Sequence, residues 1–140
     1  MKQESQEFLL SLLEEQKNKE LLLKELCVRL PHGVKCNYQI DQDEKIGTLI
    51  IIDILSDRVN VNGHIKHIND VRPYLFPISS LTDEQKEIYC QLQQKVIYNS
   101  KGIVTEDVMN YVNWCYENHL DVNDLIPKKL AIDATGLNIY

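Results

Sequence analysis

Two hydrophobic periods divide this chain. From residue 4 to residue 29 apolar positions recur at helical spacing: Phe8, Leu9, Leu12 and Leu13 form one i, i+3, i+4 stripe, and Leu22, Leu23, Leu26, Cys27 and Leu30 form another. Between them Glu14-Glu15-Gln16-Lys17-Asn18-Lys19-Glu20 holds no apolar residue. Either one long helix crosses a solvent gap there, or two helices meet near Asn18. Pro31-His32-Gly33 ends the pattern, because proline disfavours helical geometry before it and glycine accepts the turn that follows.

Period two begins at Val34. Val34, Cys36, Tyr38 and Ile40 alternate with Lys35, Asn37 and Gln39, as in a half-buried strand. Asp41-Gln42-Asp43-Glu44 reads as a polar turn. Ile46 to Leu55 reads as a long β-branched strand, apolar on both faces at its centre, hence central or helix-covered. Ser56-Asp57 is a second turn, and Arg58 to Val61 a third strand. Asn62-Gly63 is a strong hairpin signal, since a type I′ turn needs positive φ at both positions, and His64 to Ile68 returns from it. Residues 33 to 69 are thus expected to form a four-stranded antiparallel meander, which needs a helix or closure into a small barrel to cover its apolar face.

Beyond the sheet, the two prolines of Arg72-Pro73-Tyr74-Leu75-Phe76-Pro77-Ile78 argue against a regular helix or a central strand. An extended segment lying over the sheet is expected instead, with Tyr74, Leu75 and Phe76 in contact. Thr82 with Gln85 makes a capping box. Ile88, Leu92 and Val96, with Tyr89 as a candidate fourth member, then form the inward stripe of a helix running to about Asn99, which Lys101-Gly102 breaks. Thr105 caps a further helix ending near Asn118. Val108, Val112 and Cys115 lie on its inward face, completed by Met109 or by Tyr111 and Trp114. The tail from Asp121 to Tyr140 carries Leu125, Ile126, Leu130, Ile132 and Ile139, too apolar to be free, and is expected to dock. The expected architecture is α+β: an N-terminal helix or helix pair over residues 1–30, then one domain over 31–140, with sheet 33–69, extended segment 70–81, and helices at 82–99 and 105–118.

Composition adds limits. The 140 residues are 44% hydrophobic and 26% charged, a chain able to bury a core without disulfides or metals. No apolar run approaches the roughly 20 residues that span a bilayer. The polar start Met-Lys-Gln-Glu-Ser-Gln-Glu lacks the apolar stretch of a secretory signal, so a cytoplasmic protein is expected. Cys27, Cys36, Cys90 and Cys115 form no Cys-x-x-Cys pair and sit among apolar neighbours, reading as reduced and mostly buried side chains.

Three segments resemble landmarks of a known group: Leu26-Cys27-Val28-Arg29-Leu30-Pro31-His32-Gly33-Val34-Lys35-Cys36, then Val71 to Thr82, then the Trp114 helix leading to Leu125-Ile126-Pro127-Lys128-Lys129-Leu130-Ala131-Ile132. They are similar, in this order, to small uncharacterised proteins encoded by gut Bacteroides and their phages or prophages, across about residues 18 to 135. The resemblance implies a genetic setting and no chemistry.

Candidate chemistry is sparse. His64 and His67 would point to opposite faces of a strand, which suits no shared metal. Cys115 and His119 lie four apart, as a thiolate–imidazole pair requires, but the Val108, Val112, Cys115 series makes the cysteine a core residue. Asp41, Asp43 and Glu44 have the alternation of a calcium loop without its glycine or distal glutamate. No phosphate-cradling or nucleophile-elbow motif occurs. Neither catalysis nor a cofactor is expected.

Three binding readings remain. Protein binding, to a partner or to a second copy, draws on Phe8, Leu9, Leu12 and Leu13: residues 8–13 are apolar at five of six positions, more than one helix side can bury on a small sheet. Nucleic-acid binding by the sheet face draws on Lys35, Arg58, Lys66 and Arg72, with Tyr38 or Tyr74 for stacking. The net charge of -6 opposes it unevenly: residues 1–30 hold 6 acids and 5 bases, residues 31–81 hold 6 and 5, and residues 82–140 hold 9 and 5. An acidic inhibitor of a host protein is the third reading, drawing on Asp83, Glu84, Glu87, Glu106 and Asp107.

Overall fold

The computed structural model describes residues 2–97 and 105–140. The expected helix end at Asn99 and the Lys101-Gly102 break lie outside them. The first element settles the one-helix alternative: α1 (Lys2–Arg29) is continuous, and its polar middle does not interrupt it. A short 3-10 turn (Leu30–His32) follows, and Gly33 takes φ 68 at its end, left-handed geometry that a Cβ would strain.

The strands are β1 (Lys35–Ile40), β2 (Asp43–Asp53), β3 (Arg58–Val61), β4 (His64–His67), β5 (Arg72–Leu75) and β6 (Ile132–Asp133). They form an open six-stranded sheet in the order β4-β3-β2-β1-β5-β6. The four-stranded meander is present as β1 to β4, but the count of four and the small barrel are both corrected. β5 and β6 extend the sheet, and β4 and β6 remain its unpaired edges. Every ladder is antiparallel except β5 with β6.

The segment around Pro73 is a strand and not a strap laid over the sheet. Arg72 and Pro73 pair with β1, whereas Tyr74 and Leu75 pair with β6. Each half of β5 is therefore bonded on one side only, which removes the objection to proline inside a sheet. Turn chemistry follows the residue types: Asn62 and Gly63 take φ 54 and 92 in the β3–β4 hairpin. The first turn is tighter than expected, since β2 already begins at Asp43. It ends at Asp53, whose carboxylate accepts hydrogen bonds from the backbone N–H groups of Leu55 and Ser56. Those bonds place Ile54 and Leu55 in an exposed turn.

Two compact units emerge, Met1–Pro73 and Tyr74–Tyr140. In the first, Leu22 and Leu26 of α1 join Val34, Cys36, Tyr38, Leu49, Val59, Val61, Ile68 and Val71 in the core. Lys19 bonds the Asp57 carboxylate at 2.9 Å and ties the middle of α1 to the β2–β3 turn.

In the second unit, α2 (Asp83–Ile97) starts at the capping box, with Gln85 N–H donating to Thr82 Oγ1 at 3.2 Å and Thr82 N–H donating to Gln85 Oε1 at 3.0 Å. It packs on α3 (Thr105–Glu117). Tyr89 takes the inward position and Ile88 is exposed. On α3 the inward set is Tyr111, Trp114 and Cys115, while Met109 and Val112 face outward. Both outcomes have one cause: the Tyr89 ring lies 5.8 Å from that of Tyr111 and 6.2 Å from that of Trp114. Large rings bury more apolar area than isoleucine or valine and leave a hydroxyl to be bonded. Gln93 Nε2 supplies that bond, donating to Tyr89 Oη at 3.0 Å.

The tail docks on its own unit. Asp121 accepts from the N–H groups of Leu125 and Ile126, Leu125, Ala131 and Ala134 are buried, and Tyr140 Oη donates to the carbonyl of Tyr74 at 2.7 Å.

Candidate functional site

The first half of α1 is the most exposed regular element of the first unit. Residues 3–17 are all exposed, a stretch of about 22 Å at 1.5 Å per residue. Within it Phe8 is 65%, Leu9 58%, Leu12 45% and Leu13 58% exposed. Phe8 with Leu12, and Leu9 with Leu13, are i, i+4 neighbours and make one continuous stripe. The buried line of the same helix is Leu22, Glu25, Leu26 and Arg29. At about 100° per residue, the exposed stripe is rotated from that line by about a third of a turn. Phe8, five whole turns before Leu26, still lies in line with the buried face, whereas Leu12, Leu9 and Leu13 turn progressively away from it. Four carboxylates, Glu4, Glu7, Glu14 and Glu15, lie in the same stretch with one described cation, Lys17.

A second apolar surface lies on the sheet. Strand register puts Cys36, Gly47, Leu49, Val59 and Val61 on the buried face, and their alternates on the outward one. On that outward face Ile46 is 50%, Ile51 58% and Ile65 66% exposed. A bulge between Leu49 and Ile51 sets both Ile50 and Ile51 opposite Asn60, so both isoleucines reach solvent. A cleft of about 270 Å³ opens there between Ile51, Asp53, Arg58, Asn60 and Ile65. The sequence signal for this surface is the doubly apolar centre of Ile46–Leu55. β2 is central in the sheet, as one of the two expected alternatives had it, but its second face is exposed at Ile46, Ile50 and Ile51.

The nucleic-acid candidates divide. Lys35 pairs with Thr48, Arg72 with Asn37, and Arg58 with Asp53, which places these three cations on the outward face. Lys66 pairs with Val59 and belongs to the opposite face. Tyr38 and Tyr74 are both buried, so neither offers a ring for stacking on a base. His64 pairs with Val61 and His67 with Arg58, hence opposite faces. The His64 ring stacks on Tyr38 at 5.5 Å, and His67 Nδ1 accepts from Asn69 N–H.

The acidic candidates also separate. Tyr89 meets Tyr111 and Trp114, while Leu81 shares a cluster with Cys115 and Leu120, so α2 and α3 run antiparallel. Asp83 and Glu84, at the start of α2, are thereby a helix length from Glu106 and Asp107 at the start of α3. Glu87 is one turn further along α2. The five carboxylates form two groups and not one patch.

The second unit has its own cleft of about 310 Å³, bordered by Phe76, Ser80, Gln85, Glu117, His119 and Tyr140. Several of its lining side chains make contacts within the unit. Ser80 Oγ donates to the Pro77 carbonyl, Gln85 belongs to the capping box, and the His119 ring stacks on Tyr140 with centroids 3.6 Å apart. His119 lies past the end of α3 with φ 55, and Cys115 is buried in an apolar cluster with Leu81 and Leu120. Cys36 and Cys115 are buried, but Cys27 is half-buried and Cys90 exposed, a correction to the expectation for the last. Among the described residues no group of three or more His, Cys, Asp or Glu side chains is placed to hold a metal ion, and no helix is long and apolar enough to cross a membrane.

No protein-family model, curated protein or solved structure matches the chain.

Proposed function

We propose that this chain is a non-catalytic protein-interaction module that self-associates through the first half of α1, in the phage or prophage setting that its resemblance implies. One observation carries the reading: Phe8, Leu9, Leu12 and Leu13 make a continuous apolar stripe that stays exposed on the first half of α1. Apolar area of this kind, left in water, favours association by roughly 25 cal/mol per Å² covered. The burial of Cys115 among apolar side chains also weighs against thiol chemistry as the alternative.

Sedimentation velocity over a wide concentration range tests the reading. The expected result is a mass above the monomer for the parent protein and a monomer for the variant Phe8→Asp/Leu12→Asp with unchanged circular dichroism. A parent protein that stays monomeric at every concentration would overturn it.

Nucleic-acid binding retains a single favourable observation, the shared face of Lys35, Arg58 and Arg72. That reading requires affinity for an oligonucleotide to fall steeply with salt. The acidic-inhibitor reading would have to work through two separated carboxylate groups.

A further inference from the structure

We propose that the exposed stripe of α1 docks on the outward face of the sheet of a second copy, so that two chains exchange their N-terminal helices reciprocally. This rests on the self-association proposed above and names the surface that receives the helix.

The helix stripe cannot cover the outward sheet face of its own chain. α1 is uninterrupted from Lys2 to Arg29, and its last turns bury Leu22 and Leu26 in the core and approach the Ile68–Asp70 turn. At 1.5 Å per residue, Phe8 is about 27 Å along the axis from Leu26. Turning it back onto the outward face of its own sheet would require breaking the helix. Sharp breaks of that kind arise at proline, at Gly/Ser pairs or at π-bulges, and residues 2–29 contain neither proline nor glycine. The helix stripe therefore meets such a sheet face only on another chain.

A second copy fits both shape and charge. A helix laid on a sheet is the usual way to bury the open face of either, and the exposed half of α1, about 22 Å, is shorter than the eleven-residue strand β2 that would lie beneath it. The helix segment carries Glu4, Glu7, Glu14 and Glu15 against Lys17, whereas the outward face carries Lys35, Arg58 and Arg72 against Glu44 and Asp53. Opposite net charges meet when helix and sheet approach. Two helices meeting stripe to stripe would instead bring two acidic segments together. Reciprocal exchange also closes: each dimer uses two helices and two sheet faces, so neither of these two surfaces is left to propagate a filament.

A mixing experiment decides. One variant carries Phe8→Asp/Leu12→Asp (helix disabled) and the other Ile51→Asp/Ile65→Asp (sheet face disabled). Each is checked by circular dichroism, with Ile65→Thr replacing the second pair if it misfolds. Neither variant alone is expected to self-associate. Their equimolar mixture should form a heterodimer, held by the one intact helix-to-sheet contact and at least ten-fold weaker than the parent dimer. A sheet variant that dimerises like the parent would overturn the sheet docking and leave self-association through the helix standing. Failure of the mixture to recover a complex would also overturn it. A parent protein that never associates removes both proposals. A labelled single-stranded oligonucleotide is titrated in parallel. Salt-sensitive binding that Arg58→Glu abolishes, with self-association intact in the sheet variant, would assign this face to nucleic acid instead.

Discussion

Arg29 donates from Nε to Oε2 of Glu25 at 3.0 Å, and both side chains are buried in the core beside Leu26. The two charges stand four residues apart on the last turns of α1, so the helix itself sets their geometry. Removing water from two ions is costly, and the mutual attraction roughly offsets that cost only while both partners are present. Glu25→Ala alone, or Arg29→Ala alone, is therefore expected to destabilise the protein by about 3–5 kcal/mol. The double variant Glu25→Leu/Arg29→Met should lose far less than the sum of the single changes. Urea denaturation of the four proteins checks this, and strict additivity would show that the pair is not coupled.

The cysteines should separate by reactivity. Cys90 is exposed, Cys27 half-buried, and Cys36 and Cys115 buried. Burial pushes the Cys36 thiol from its ordinary 9.0 up to about 12. A chromogenic disulfide reagent on the native protein is expected to modify Cys90 fastest and to reach Cys36 and Cys115 only on unfolding. The raised thiol also fixes a sign. The unfolded chain releases this proton above pH 9 while the folded one retains it, so this contribution is whole below pH 9 and is lost as pH rises towards 12. Cys36→Ala should flatten that alkaline decline in denaturation midpoints.

Gly47 sits on the buried sheet face opposite Cys36. A Cβ there would lie 2.7 Å from Asn62 Cβ, 2.9 Å from Tyr38 Cε1 and 3.1 Å from Val61 Cγ1. Gly47→Ala is therefore expected to cost about 1–3 kcal/mol by overpacking, although alanine is otherwise an ordinary replacement for glycine in a strand. Thermal unfolding measures it; a variant as stable as the parent would mean that the hairpin end shifts freely.

Much of this fold was legible because its signals are local. The Thr82–Gln85 box, the Asn62-Gly63 turn and the alternation of β1 each depend on side chains within a few residues of one another, and each is realised with its expected bonding or backbone angles. The exchange of Ile88 for Tyr89, and the outward turn of Val112, were not legible. They depend on which rings meet across two helices and on where a tyrosine hydroxyl finds Gln93. For the candidate site, the stripe Phe8, Leu9, Leu12 and Leu13 was visible in the sequence, but its rotation from the buried line was not, since that line is defined by what packs against it.

The sequence by itself determined the Thr82–Gln85 helix start, the Asn62-Gly63 turn, the apolar excess of residues 8–13, and the doubly apolar centre of β2, because these are properties of neighbours along the chain. Tertiary structure alone decided that α1 is unbroken, that β5 and β6 carry the sheet past four strands and keep it open, and that Lys35, Arg58 and Arg72 share a face which Lys66 does not. The reason is physical: the face a strand residue presents, and the partner that covers it, depend on register with strands distant in sequence. One bulge between Leu49 and Ile51 is enough to turn an apolar interior towards solvent.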